Sequence, residues 1–182
     1  GLAALPLGPA SGALRARAAF VGSPDLGDAA LLANLEVWLA PLLDRKTALA
    51  HLTDGQIAQA LENLYPWDQR VALERKAPPR FAAPTGSTHA IDYAAEGGPR
   101  VSVRVGELYG LSSHPTVNGQ PLVLELLSPA HRPIQVTKDL PGFWAGSWKA
   151  VRSDMKGRYP RHVWPDDPAA AAPVTRAKPR GT

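Results

Sequence analysis

An α+β fold is the class this sequence predicts, and three observations predict it. From Asp28 to Lys76 the apolar residues recur at helical spacing. From Phe81 to Val136 the period shortens to that of strands, with Gly and Pro between the runs. From Leu140 the helical spacing returns. The expected architecture is an N-terminal helical bundle, a small antiparallel sheet or partial barrel, and a C-terminal helix followed by an ordered arm. The segments expected are a linker over 1–27, the bundle over 28–79, a β-rich region with its helix and arm over 80–168, and a disordered basic tail over 169–182.

The opening residues, GLAALPLGPASGA, are rich in Gly, Pro and Ala without a clear period, the mark of a loosely packed entry. Leu14 to Val21 reads as a short helix. Asp28 is placed to cap the next one, whose Leu31, Leu35, Trp38 and Leu42 share a side, and Pro41 is expected to kink or end it. Thr53 and Gln56 form a capping box ahead of Ile57, Ala60, Leu61 and Leu64. Pro66 suits the first position of a further helix reaching about Lys76, where Pro78 and Pro79 stop it.

Strand character begins with His89, Ile91 and Tyr93. Val101, Val103 and Val105 alternate with Arg100, Ser102 and Arg104, as in an antiparallel strand with one buried face. Asn118-Gly119 marks a turn before Leu122 to Leu127, the expected central strand, and Ile134 to Val136 supplies another. Leu140, Trp144, Trp148, Val151 and Met155 then fall on one face of a single helix, with Asp139 as N-cap, Gly157 past the end and Pro160 preventing continuation.

That helix has a second face. Lys149, Arg152 and Lys156 lie at i, i+3 and i+7, beside the apolar stripe. Arg158, Arg161 and His162 follow, interleaved with Tyr159 and Trp164. Cations among aromatics suit a polyanion with flat bases, so Lys149, Arg152, Lys156, Arg158, Tyr159, Arg161 and Trp164 are the candidate nucleic-acid-binding residues. The plainer reading is a solvated helix face with Tyr159 and Trp164 packed as anchors. The prolines at 160, 165 and 168 restrict the backbone, so Gly157 to Pro168 is expected to fold back along the domain, leaving only the chain beyond it loose. Arg100 and Arg104 admit the same two readings, a charged strand surface or a phosphate track.

Charge supports an anionic partner at one end. The net charge of the 182 residues is +4, but residues 131–182 carry +6 and residues 1–130 carry −2. Without cysteine there is no disulfide framework or thiolate metal site, in keeping with a cytoplasmic chain. No apolar run reaches the ~18 residues of a membrane span, and no signal peptide is recognisable. The first residue is Gly rather than Met, as expected of a piece of a longer protein.

Enzymatic chemistry is not written here. The five histidines are scattered without metal-ligand spacing. Ser128 and His131 are near neighbours, but no nucleophile elbow surrounds them. Asp166 and Asp167 precede a Pro and read as a solvated turn, since adjacent side chains of extended backbone point apart. No catalytic residue, metal ligand or cofactor is expected within these residues, and no glycine-rich phosphate loop is present.

Several long motifs carry a resemblance. PTGSTHAIDY (84–93), VRVGELYGL (103–111), LLSPAHRPIQVTKDL (126–140), FWAGSW (143–148) and KGRYPRHVWPDDP (156–168) stand in one order. Together they resemble the C-terminal region of HrpB-type ATP-dependent helicases, a bacterial branch of the DEAH-box RNA helicases. The match spans about Pro84 to Pro168 and is looser before it. What the resemblance implies is an appendage rather than a motor, with ATP and Mg in an upstream motor of the parent protein, and by analogy an OB-like form for the partial barrel. The function expected is an accessory domain holding RNA or another single-stranded nucleic acid near that motor, with no membrane partner. The alternative is a protein-interaction or structural module that braces the helicase core without nucleic-acid contact.

Overall fold

The computed structural model describes residues 1–44 and 49–176. They form two compact units, Gly1–Pro79 and Arg80–Thr182.

The first unit is helical: α1 (Pro9–Val21), α2 (Asp28–Ala33), α3 (Leu35–Trp38), α4 (Ala40–Leu43), α5 (Asp54–Asn63) and α6 (Trp67–Lys76). Its entry is not a loose linker. Leu2, Leu5, Leu14 and Ala18 are all buried, and α1 begins with Pro9 in its first turn, where the missing N–H costs nothing. The start of α1 is capped from another helix. Asp54, at the head of α5, accepts from the amides of Gly8 (2.9 Å), Ala10 (2.7 Å) and Ser11 (3.0 Å), and from the Ser11 hydroxyl. The far end of α6 is tied down by the buried Arg17, which donates to the Ala77 carbonyl at 2.7 Å and pairs with Glu74 at 2.6 Å.

The helix expected from Asp28 is divided. Asn34 leaves helical geometry (φ −113°, ψ 20°), and its side-chain amide donates to the Ala30 carbonyl at 2.8 Å, competing with the ladder. Gly27, not Asp28, is the N-cap. The capping box is formed as expected, with the Gln56 amide donating to Thr53 Oγ1 at 3.3 Å and Thr53 N–H to Gln56 Oε1 at 3.0 Å.

The second unit holds β1 (Arg80–Ala82), β2 (Thr88–Ala90), β3 (Arg100–Arg104), β4 (Thr116–Val117), β5 (Gln120–Pro121), β6 (Val123–Leu127), β7 (Pro133–Thr137), α7 (Leu140–Ala145) and α8 (Trp148–Arg158). β1 and β2 form an antiparallel ladder, and β4 and β5 form a hairpin. Asn118 (φ 48°) and Gly119 (φ 77°) make the turn between β4 and β5, the pair of positive φ angles that Asn-Gly favours. The main sheet has the order β3-β6-β7 and is mixed. β6 is central as expected, with Leu124 and Leu126 fully buried. β3 pairs with it in parallel, Val101 opposite Leu124 and Val103 opposite Leu126, rather than in the antiparallel sense expected. Residues 105–122, folded as a 3-10 turn and the β4–β5 hairpin, provide the long crossover that parallel pairing requires. No closed barrel forms among the described residues.

The single helix expected from Leu140 is two. α7 ends at Gly146 (φ −106°, ψ −90°), and α8 starts at Trp148. The break turns both Phe143 and Trp148 into the core, while Trp144 stays half-buried and donates its indole N–H to the Leu111 carbonyl at 2.9 Å. Asp139 caps α7 as expected, accepting from Gly142 at 3.0 Å. His114 joins this helix to the sheet. The Leu140 amide donates to its Nδ1 (3.0 Å), so Nε2 carries the hydrogen given to the Leu122 carbonyl (2.7 Å).

Burial pushes the Asp54 carboxyl up, but the Ser11 hydroxyl and the amides of Ser11, Ala10 and Gly8 outweigh it and hold the pKa at about 2. A depressed carboxyl stabilises the fold above its unfolded pKa, roughly 3.9, and that contribution is lost as pH falls towards 2. Asp54→Asn is therefore expected to destabilise the protein at pH 7 by about 1–2 kcal/mol, the scale of a lost cap. Urea unfolding of both forms from pH 7 to 2.5 should show the difference shrinking below pH 4.

Candidate nucleic-acid interface

The residues of α8 divide by side. Trp148 and Met155 are buried, while Lys149 and Lys156 are exposed to solvent. Lys156 and Arg158 occupy the last turn, where the carbonyl end of the helix favours cations. Arg158 is exposed, lies 3.4 Å from Asp154, and sits with its guanidinium 5.8 Å from the centre of the Tyr159 ring.

Arg152 shares the lysines' side but has a different task. Its Nε donates to the Trp164 carbonyl at 2.8 Å and its terminal nitrogen meets Asp166 at 2.8 Å. It therefore holds the arm rather than projecting from α8. Gly157 does not end α8, which continues through Arg158, and Pro160 precludes another turn. The arm then folds back. Tyr109 donates its hydroxyl to the Val163 carbonyl (2.9 Å), Trp148 its indole N–H to Pro165 (3.0 Å), and Trp164 its indole N–H to Tyr159 (2.9 Å).

Trp164 is only 8% exposed and lies against Trp148, with ring centres 6.2 Å apart. It presents no free face on which a base can stack. Tyr159 is half-buried, its hydroxyl 3.3 Å from Ser128 Oγ and its ring edge-on to His162. Arg161 is exposed on the arm. The sequence-predicted set thus separates into exposed Lys149, Lys156, Arg158 and Arg161, a partly accessible Tyr159, and the packed pair Arg152 and Trp164.

The arginines of β3 are both answered by carboxylates. Arg100 lies 3.6 Å from Glu125, and Arg104 donates to Glu107 at 3.2 Å. Glu107 is buried and also meets His89 at 3.1 Å. Burial raises the Glu107 carboxyl, but the hydrogen bond from Arg104 and the adjoining His89 outweigh it and bring the group below its ordinary value. His162 is brought down by burial first and then by the charges of Arg104 and Arg161. Arg104 and His162 are thus neighbours, which spacing along the chain cannot reveal.

The expected loose tail is attached over its described part. Gly110 donates to the Pro168 carbonyl at 2.9 Å, and Val174 donates to the Gly106 carbonyl at 2.8 Å. Residues 177–182 of that tail lie outside the described residues. Among the described residues no group of His, Asp and Glu side chains is arranged to hold a metal ion, and no helix is long and apolar enough to cross a membrane.

A mixed sheet braced by an aromatic-rich helix pair and a returning arm matches a known class. The family model described as ATP-dependent helicase C-terminal, HrpB_C, covers residues 38–168, and the chain belongs to that family. It is 46% identical over 157 residues to the ATP-dependent RNA helicase HrpB of Escherichia coli (strain K12), spanning 85% of this chain and 19% of that relative's length. The crystal structure of the E. coli DExH-box NTPase HrpB superimposes with a TM-score of 0.88 at 43% identity, over 97% of this chain and 23% of that one. A crystal structure described as E. coli DEAH/RHA helicase HrpB gives 0.73 at 39% identity, over 90% of this chain and 22% of that one.

Arg152→Ala removes the clamp on the arm. Losing a charged hydrogen bond of about 1.5 kcal/mol raises the open population roughly tenfold. Trypsin is expected to cut at Arg161 about ten times faster in the variant, measured by mass spectrometry of timed digests, with the helical content unchanged.

Proposed function

We propose that this domain holds single-stranded RNA beside the motor of an ATP-dependent RNA helicase in the cytoplasm. The observation that carries the reading is the exposure of Lys149, Lys156, Arg158 and Arg161 on a helix and arm that are themselves fixed by internal hydrogen bonds. Cations borne on a fixed backbone need less ordering when a chain of phosphates binds them. Tyr159, half-buried beside Arg158, is the aromatic group of this set. Arg152 supports the set through the arm. Trp164 supports it by packing and is left out of the contact set.

ATP and Mg belong, on this reading, to the motor portion of such a helicase. The present residues do not fit them, because they contain neither a glycine-rich phosphate loop nor, among the described residues, a carboxylate cluster for the ion.

A second reading, a module that braces the helicase core, rests on the first unit. Trp67 is 76% and Val37 64% exposed there, apolar surface of the kind that protein contacts cover.

The two readings separate on one measurement. Anisotropy of a labelled 12-nucleotide RNA should show salt-sensitive binding by the intact chain. Lys149→Glu with Lys156→Glu should weaken it and lower the log–log salt slope by about 1.4, at ~0.7 per phosphate contact. Absence of binding by the unmodified chain at low salt would leave the bracing reading.

A further inference from the structure

A small cavity lies between the turn after β3, the arm and the C-terminal segment, with two arginines and a histidine in its lining. Arg104, His162 and Arg176 line it, with Val163, Trp164 and Val174 as its apolar wall. The segment that brings Arg176 there is seated on two glycines. A Cβ added at Gly106 would lie 3.0 Å from the Val174 side chain and 3.1 Å from its carbonyl oxygen, and one at Gly110 would lie 3.1 Å from the Ala171 carbonyl oxygen. A side chain at either place would force its neighbour to give by a few tenths of an ångström.

The balance of charge at the mouth is positive. Arg176 is exposed, and the Arg104 side chain is 29% exposed. Facing them from below is Glu107, which Arg104 shares with His89. Arg104 and Arg161 both act on His162, and Arg104 shares the cavity lining with it. The cavity itself measures about 20 Å³, room for one oxygen-sized group and far too small for a base or a sugar.

We infer that this mouth, formed by Arg104, His162 and Arg176, seats one phosphate group, supplied by the phosphodiester backbone of single-stranded RNA. Guanidinium groups offer paired donors that match phosphate oxygens, and a neutral imidazole adds one further donor. The apolar wall excludes water from one side and strengthens those bonds. The seat adjoins Tyr159, whose ring meets His162 edge-on, and adds a second element to the cations of α8. The phosphate chemistry stands on the cluster alone, whereas RNA as its source rests on the function proposed above.

The test uses the intact chain. The His162 imidazole resonances are followed by NMR during titration with inorganic phosphate, and binding of a labelled 12-nucleotide oligouridylate is measured at several salt concentrations. Both are repeated on Arg176→Gln and on Lys149→Glu/Lys156→Glu. Phosphate is expected to move the His162 resonances in the unmodified chain and in the lysine variant, but not in the arginine variant. The arginine variant should also lower the RNA salt slope by about 0.7, one phosphate contact. Loss of that slope alone, with free phosphate too weak to register, would still support a phosphodiester seat. A His162 response to phosphate in a chain that binds no RNA would keep the phosphate seat and remove RNA as its source. RNA binding with an unaltered slope in the arginine variant would overturn the inference while leaving the function of α8 intact.

Discussion

The burial of Trp148 is the constraint on which the second unit depends. Its ring is 2% exposed and meets Trp144 at 5.4 Å, Tyr109 at 5.8 Å, Phe143 at 6.1 Å and Trp164 at 6.2 Å between ring centres. A buried indole must still find an acceptor for its N–H, and the Pro165 carbonyl supplies it at 3.0 Å. That bond holds the arm against α8 together with those of Arg152 and Tyr109. Burial of the ring also explains the break at Gly146. A continuous helix would align Trp144 and Trp148, whereas the broken one buries Phe143 and Trp148 and leaves Trp144 at the rim. Truncation of a ring so placed costs about 3–5 kcal/mol, more than any surface contact of this unit contributes.

The basic residues divide by chemistry. Arg17 and Arg152 each serve a main-chain carbonyl and a carboxylate at once, and Arg104 shares a buried carboxylate with His89. A planar guanidinium has donors enough for two partners, and a lysine ammonium at the end of a flexible stem is poorly suited to that fixed geometry. The lysines of α8 remain in solvent. The ten Lys and Arg of residues 131–182 therefore overstate the cations a polyanion would meet, because Arg152 is already engaged by Asp166.

The two glycines of the VRVGELYGL motif have a role that reaches the chain's end. Gly106 and Gly110 accept the close passage of Val174 and Ala171, and their main chain pairs with Val174 and Pro168. The segment from Ala169 to Arg176 is thereby an integral edge of the second unit. Its alanine-rich composition carries no sign of this, since the bonds are between main-chain atoms and leave no trace in side-chain pattern.

Local signals were legible wherever a few neighbouring residues determine the outcome. The Thr53–Gln56 capping box, the Asp139 cap, the Asn118-Gly119 turn and the alternating valines of β3 each act within a handful of positions, and the sequence by itself determined them. The α+β class followed from the change of period, and family membership from motifs spread over 84–168. The exposed lysines at 149 and 156 were legible for the same reason, as the outer side of an amphipathic pattern. Tertiary structure alone decided the rest. The parallel sense of β3 with β6, the cap that Asp54 gives α1, the burial of Trp164 and the meeting of Arg104 with His162 join residues distant in the chain. Periodicity reports which side of an element is apolar. Which partner that side meets, and which main-chain atom a buried indole or guanidinium must satisfy, is set only when the elements pack.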